Sequence, residues 1–171
     1  MSYKQAITEQ NTKLGKDPKT RFIGYGLKKG RAMGTLSGVS EDQIIEMPVA
    51  ENLLLGSAIG MALTGLKPVV FIERMDFLMN CMDALVNHLD KIKDISQREF
   101  DPKVIIRCIV GNKTKPLYTG ATHTQDFSSV LRDMVEIPVY QVLEERFAHS
   151  AYGLAQSRGK SAIIVEYKDL M

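Results

Sequence analysis

The sequence has only two cysteines, Cys81 and Cys108. They are too few for a metal-ligand cluster and form no CxxC pair, so they read as buried reduced thiols of a cytosolic protein. A secretory leader is also lacking: the chain starts Met1-Ser2-Tyr3-Lys4-Gln5-Ala6, which makes the cytoplasm the expected compartment. Excess charge is nearly absent. With 22 basic and 20 acidic side chains the net charge is +2, too weak a field to imply nucleic acid or anionic lipid as a partner. The basic residues that gather at Lys13, Lys16, Lys19, Arg21, Lys28, Lys29 and Arg31 read as solvated surface. The most apolar run, Leu53 to Leu66, is interrupted by Gly56, Ser57, Gly60 and Thr64 and is shorter than the about 20 residues a spanning helix needs. It predicts a buried helix and no membrane embedding.

What is present is the material of one ordinary domain: 171 residues, 44% hydrophobic and 25% charged. A chain of this length buries about 70% of the surface its unfolded form exposes, so its core needs neither disulfide nor structural metal. No repeat, low-complexity tract or linker divides it, and residues 1–171 are expected to form a single domain.

Helical and strand patterns alternate throughout. Helices are predicted over Tyr3–Leu14, Ala50–Thr64, Phe77–Ile92, Phe127–Met134 and Arg146–Ser157. Strands are predicted over Arg21–Tyr25, Ile44–Met47, Val69–Ile72, Val104–Val110, Pro138–Val142 and Ala162–Glu166. Strands separated by helices imply right-handed crossovers and an α/β fold whose mainly parallel sheet carries helices on both faces. Two long polar loops, one from Gly24 to about Glu41 and one from Gly111 to Gln125, exceed what a connector needs and point to function.

One familiar motif is a false lead. Gly24-Tyr25-Gly26-Leu27-Lys28-Lys29-Gly30 follows a strand as a dinucleotide fingerprint does, but its third glycine arrives one residue late. Arg31-Ala32-Met33-Gly34-Thr35 then reads as a flexible loop and not as the helix that would receive a pyrophosphate. GxxxxGK[ST], HExxH and GxSxG are all missing, which removes the usual phosphate-loop, zincin and hydrolase signatures.

Between Pro48 and Leu66 the single ionisable residue is Glu51. It can occupy an exposed first helical turn and favour the macrodipole by ~0.3–1 kcal/mol. It can also stand at the carboxyl edge of a parallel sheet, where open α/β folds bind ligands and where a protonated carboxyl can pass a proton to a ring nitrogen. On the same helix Gly56 and Gly60 share one face. Each interior glycine costs ~1 kcal/mol relative to alanine, so a close contact is expected there, with the protein's own sheet or with a partner helix.

These residues carry a resemblance. Glu51-x4-Gly56-x3-Gly60-x4-Gly65, then Ala62-Leu63-Thr64-Gly65-Leu66-Lys67-Pro68-Val69-Val70, then Asp76-Phe77-Leu78-Met79 are similar to the pyrimidine-binding domain of thiamine-diphosphate enzymes. The likeness is greatest to beta subunits of 2-oxoacid dehydrogenases and to the middle domain of transketolases, and it covers nearly the whole chain. It implies that Glu51 is catalytic, bonding the ring nitrogen of the cofactor's aminopyrimidine and promoting the imino tautomer whose nitrogen generates the ylide. It implies that Phe77 stacks on the pyrimidine, where the ring by itself reads as core, and that His123 faces substrate, where by itself it reads as an exposed loop histidine. Met75, Met79 and Met82 are expected in the core, and His88 and His149 are expected to be structural.

The resemblance also implies what lies elsewhere. Thiamine diphosphate and Mg2+ are held in such enzymes by a domain with a Gly-Asp-Gly motif, absent from this chain, so no metal ligand is expected on it. The implied partner is a diphosphate-binding, alpha-like subunit, as in heterotetrameric decarboxylases and dehydrogenases, with self-association through the Gly56/Gly60 helix. The implied reaction is oxidative decarboxylation of a 2-oxoacid with transfer to a lipoyl group, the chain being inactive alone. Non-oxidative decarboxylation, transketolase-like two-carbon transfer, a non-catalytic scaffold subunit and an independent flavodoxin-type binder remain alternatives. Tyr25 stands where those beta subunits usually place an acid, and Glu73 and Arg74 replace residues often apolar there. Either the latter two form a solvated loop or they shape the pocket.

Overall fold

A computed structural model of the chain describes residues 1–115 and 120–171. Its six strands are β1 (Thr20–Gly24), β2 (Ile44–Glu46), β3 (Lys67–Ile72), β4 (Ile105–Val110), β5 (Val139–Gln141) and β6 (Ala162–Tyr167). They form one sheet in the order β2-β1-β3-β4-β6-β5, and every pairing is parallel. The central strands β3 and β4 are apolar and buried almost end to end, because helices cover both faces.

On one face lie α1 (Tyr3–Gly15) and α6 (Glu145–Ser157), whose Ile7, Leu14, Ala148 and Tyr152 pack on Phe22, Phe71 and Ile164. The α1 start is defined by a capping box: Ser2 Oγ accepts from the Gln5 amide, and Gln5 Oε1 accepts from the Ser2 amide at 2.8 Å. On the other face α3 (Glu51–Leu63) buries Leu54, Leu55, Ala58 and Ile59 against Ile23, Val70 and Ile72. The chain further comprises α2 (Leu27–Gly30), α4 (Ile92–Ile95) and α5 (Ser128–Met134). Among the described residues no helix is long and apolar enough to cross a membrane.

Arg107, fully buried in the middle of β4, is the polar exception. Its Nε and Nη2 donate to the two carboxylate oxygens of Glu166 at 2.9 and 3.0 Å, and Nη2 also donates to Thr35 Oγ1 at 3.0 Å. Tyr152 Oη donates to Glu166 Oε1 at 2.5 Å. A buried guanidinium is tolerated when its partner is a forked carboxylate, and here the pair also pins the loop after α2 to the sheet.

Three expectations are corrected. The segment 31–35 is no flexible loop: Arg31, Ala32, Met33 and Gly34 all have positive φ, a left-handed turn held by Ala32 and Thr35 in the core. Such backbone costs about 1–2 kcal/mol per non-glycine residue, and the buried Thr35–Arg107 contact helps to offset it. The helix expected over Phe77–Ile92 is broken into a 3-10 helix (Met75–Cys81), a π-helix (Asp83–Leu89) and α4. Leu78, Cys81, Leu85 and Leu89 are nevertheless buried, since the changing pitch keeps them on one side. Met75 is core, but Met79 is exposed, and His88 and His149 are solvent-facing rather than structural.

Candidate active site at the carboxyl edge of the sheet

From β1 the chain crosses outward to β2 and then back to β3 on the other side of β1. The reversal makes the carboxyl ends of β1 and β3 the topological switch point of the sheet, the position at which open α/β sheets bind ligands. Four segments converge there: Tyr25 directly after β1, Glu51 at the start of α3, the Met75–Cys81 helix after β3, and the loop after β4.

Glu51 is 4% exposed, so the first-turn position that could have faced water faces the interior. Its Oε2 accepts a hydrogen bond from Asn80 Nδ2 at 3.2 Å. Oε1 is shut off from solvent and has no hydrogen-bond partner. The hydroxyl of Tyr25 is in the same condition. Burial, followed by the charges of Glu51 and Glu73, holds the Tyr25 phenol well above the usual tyrosine range, so it keeps its proton. Cys81, one residue past Asn80, is pushed up to about 12 by burial and then by the Glu51 charge.

Phe77 lies one 3-10 turn before Asn80, half-buried, and its ring stands perpendicular to that of His123 with centroids 5.0 Å apart. The His123 loop is tied down by Asp76, whose Oδ1 accepts from the Gln125 amide at 3.3 Å and from Gln125 Nε2 at 2.9 Å. Thr122 Oγ1 lies 3.0 Å from His123 Nδ1. Glu51, Phe77 and His123 are thus linked in sequence: Glu51 through Asn80 to the helix that carries Phe77, and Phe77 to His123. Part of the predicted loop, residues 116–119, lies outside the described residues.

Arg74 overturns the reading of Glu73-Arg74 as solvated loop: it is 7% exposed, and Nη1 donates to the Glu73 carbonyl at 2.7 Å. Asn80 was not singled out by the sequence. The available signal was its position three residues after Phe77, which a 3-10 turn places on the same side.

The glycine face of α3 does not lie on the sheet. A Cβ at Gly56 or Gly60 would meet nothing within 4 Å, which removes the explanation by close packing on the protein's own core. Gly56 instead borders an apolar groove of about 450 Å3 with Ile59, Ile92, Ile95 and Phe100. A larger cavity, about 570 Å3, opens at the opposite, amino-terminal edge of the sheet. Its Lys67 and Lys103 are neutralised by Asp17 and Asp101, each at 2.5 Å, and it holds none of the residues singled out for chemistry. Among the described residues no group of three or more His, Cys, Asp or Glu side chains is arranged to hold a metal ion.

Comparison with known proteins shows the family and the fold. Residues 1–113 match the family described as transketolase, pyrimidine binding domain. The beta subunit of the pyruvate dehydrogenase E1 component of Cyanidium caldarium is 34% identical over 122 residues, covering 71% of this chain and 34% of that protein. The beta subunit of 2-oxoisovalerate dehydrogenase of Bacillus subtilis is 21% identical over 163 residues, covering 92% of this chain and 48% of that one. The chain therefore spans about a third to a half of the length of these relatives. A solved structure described as a split gene transketolase, inactive beta4 tetramer, superposes with a TM-score of 0.76 at 16% identity, over 98% of this chain and 52% of that one. At that identity the likeness shows the shared fold.

Proposed function

Because the chain belongs to the transketolase pyrimidine-binding domain family, we propose that it is the pyrimidine-binding subunit of a split thiamine-diphosphate enzyme acting on a 2-oxoacid. The observation that carries this reading is Glu51 Oε1, a carboxylate oxygen buried without a partner. An unmet buried polar atom costs about 1–3 kcal/mol, more when charged, and a ring nitrogen sharing a proton with it removes that cost. The residues present fit the cofactor: Glu51 would hold the aminopyrimidine nitrogen, and Phe77 would offer a flat apolar face to the ring. When bound, thiamine diphosphate would supply the nucleophilic-carbon chemistry needed at a substrate carbonyl.

Glu51 holds and returns the proton at the ring nitrogen, with Asn80 fixing its other oxygen. His123, steadied against Phe77, faces the substrate side and offers a proton donor or acceptor there. The diphosphate and Mg2+ belong to an alpha-like partner subunit, and the chain is inactive without it. Oxidative decarboxylation is the favoured reaction, in keeping with the dehydrogenase beta subunits among its relatives. Residues 1–171 act as one domain, for β6 is inserted between β4 and β5 and completes the sheet. The open Gly56/Gly60 face, flanked by exposed Leu53 and Leu63, suits self-association with a second copy.

The experiment is Glu51→Gln in the enzyme assembled with its partner. The rate is expected to fall on the order of 10²–10⁴ while thiamine diphosphate still binds. A wild-type rate would leave only a scaffold role.

A further inference from the structure

The cavity of about 570 Å3 at the amino-terminal edge of the sheet is not used by the proposed function. It opens at the first residues of β1, β3 and β4 and is walled by the last turns of α1, α3 and α6. Its volume falls within the range of small-molecule sites, about 300–1,000 Å3. Leu14, Pro68, Val69 and Ala155 are buried in its lining and Leu66 and Ile105 are half-buried, which gives it an apolar floor.

Four lysines and two aspartates stand around that floor. Asp17 is taken by Lys67 at 2.5 Å, and Asp101 is divided between Lys103 at 2.5 Å and Lys93 at 3.0 Å. Lys13 and Lys160 are exposed and have no ion-pair partner among the described residues. The C-termini of three helices also gather here, and their partial negative charge by itself would favour a cation. Their carbonyls are already engaged: Leu14 accepts from Thr20 Oγ1 at 2.9 Å, Met61 from the Leu66 amide at 3.1 Å and Leu154 from the Arg158 amide at 3.2 Å. The unpaired lysines therefore set the sign at the mouth.

We infer that this cavity is a second binding site, for a small organic anion with an apolar body. Lys13 and Lys160 meet the anionic group at the rim, and the hydrocarbon part covers Leu66, Val69 and Ile105. Burial of the floor supplies affinity, and the rim charges select the sign. An anion reaching these two lysines breaks no existing ion pair, a cation meets only carboxylates that already have partners, and an uncharged body forfeits the lysines. The site does not depend on the role of Glu51, which lies at the other end of β1 and β3.

The test uses the full chain, methyl-labelled, with the aromatic anion anilinonaphthalene sulfonate as probe. Saturable binding to the folded chain is expected, with nuclear Overhauser contacts from the probe's rings to the methyls of Leu14, Leu66, Val69 and Ile105. Lys13→Gln combined with Lys160→Gln changes two exposed positions and is expected to melt as wild type does while binding the probe about tenfold more weakly. Phenylnaphthylamine, which lacks the sulfonate, is expected to bind about tenfold more weakly than the anion. Contacts to Ile59, Ile92 and Ile95 instead would put the probe in the groove beside Gly56 and overturn the inference. Equal affinity for the uncharged probe, unchanged affinity in the double lysine variant, or no saturable binding would overturn it as well.

Discussion

The rings of Phe77 and His123 stand at right angles, 5.0 Å between centroids, joining the segment after β3 to the loop after β4 above the edge of the sheet. An edge-to-face pair contributes about 0.5–1.5 kcal/mol, enough to bias a polar loop toward one position. The pairing depends on a close backbone approach beneath it, at Gly111.

A side chain at Gly111 would remove that approach. Its Cβ would lie 1.7 Å from the His123 carbonyl oxygen and 2.9 Å from its carbon, both backbone atoms that cannot rotate away. Gly111→Ala is expected to displace the His123 loop and to cost about 1–3 kcal/mol by overpacking. Urea unfolding reads the stability, and the ring-current shift of His123 reads the Phe77 contact. Wild-type values for both would contradict the placement of the loop.

Arg107 and Glu166 form a second coupled pair. Arg107→Met leaves the Glu166 carboxylate buried with only Tyr152 as donor and is expected to cost about 3–5 kcal/mol. Arg107→Met with Glu166→Leu removes both charges, and the double variant is expected to be more stable than Arg107→Met alone. Denaturant melts of the two variants decide it. A double variant as unstable as the sum of its single changes would show that the two charges do not act as a pair.

The Cys81 thiol has a pH signature. Its ordinary value of 9.0 applies to the unfolded chain, while burial and the Glu51 charge push the folded thiol up to about 12. Because the folded state holds its proton longer, stability is intact below 9.0 and falls as pH rises from there toward about 12. Cys108, also raised by burial, acts in the same direction. Cys81→Ala is expected to flatten this alkaline decline, read by thermal melts across the range. At neutral pH the folded chain is expected to resist thiol reagents and the unfolded chain to react. Rapid labelling of the folded chain would contradict a sealed thiol.

The comparison of sequence with structure turns on a few residues. Val69–Ile72 and Val104–Val110 were legible as central strands because only a strand covered on both faces tolerates an unbroken apolar run. The turn at Arg31–Met33 was not legible, since three non-glycine residues with positive φ carry no local signal, and what holds them lies on β4 and β6. The 3-10 and π segments between Met75 and Leu89 were hidden for another reason: the apolar spacing that defines the buried side is nearly the same for a regular helix.

The amino-acid order by itself determined the layered α/β class and the isolation of Glu51 among apolar neighbours, because periodicity and composition are local properties. Which way that carboxyl faces was decided only by tertiary structure. A first-turn residue is equally compatible with water or with the interior, and the interior placement depends on the packing of α3 on the sheet and on Asn80, which reaches the carboxylate from the helix after β3.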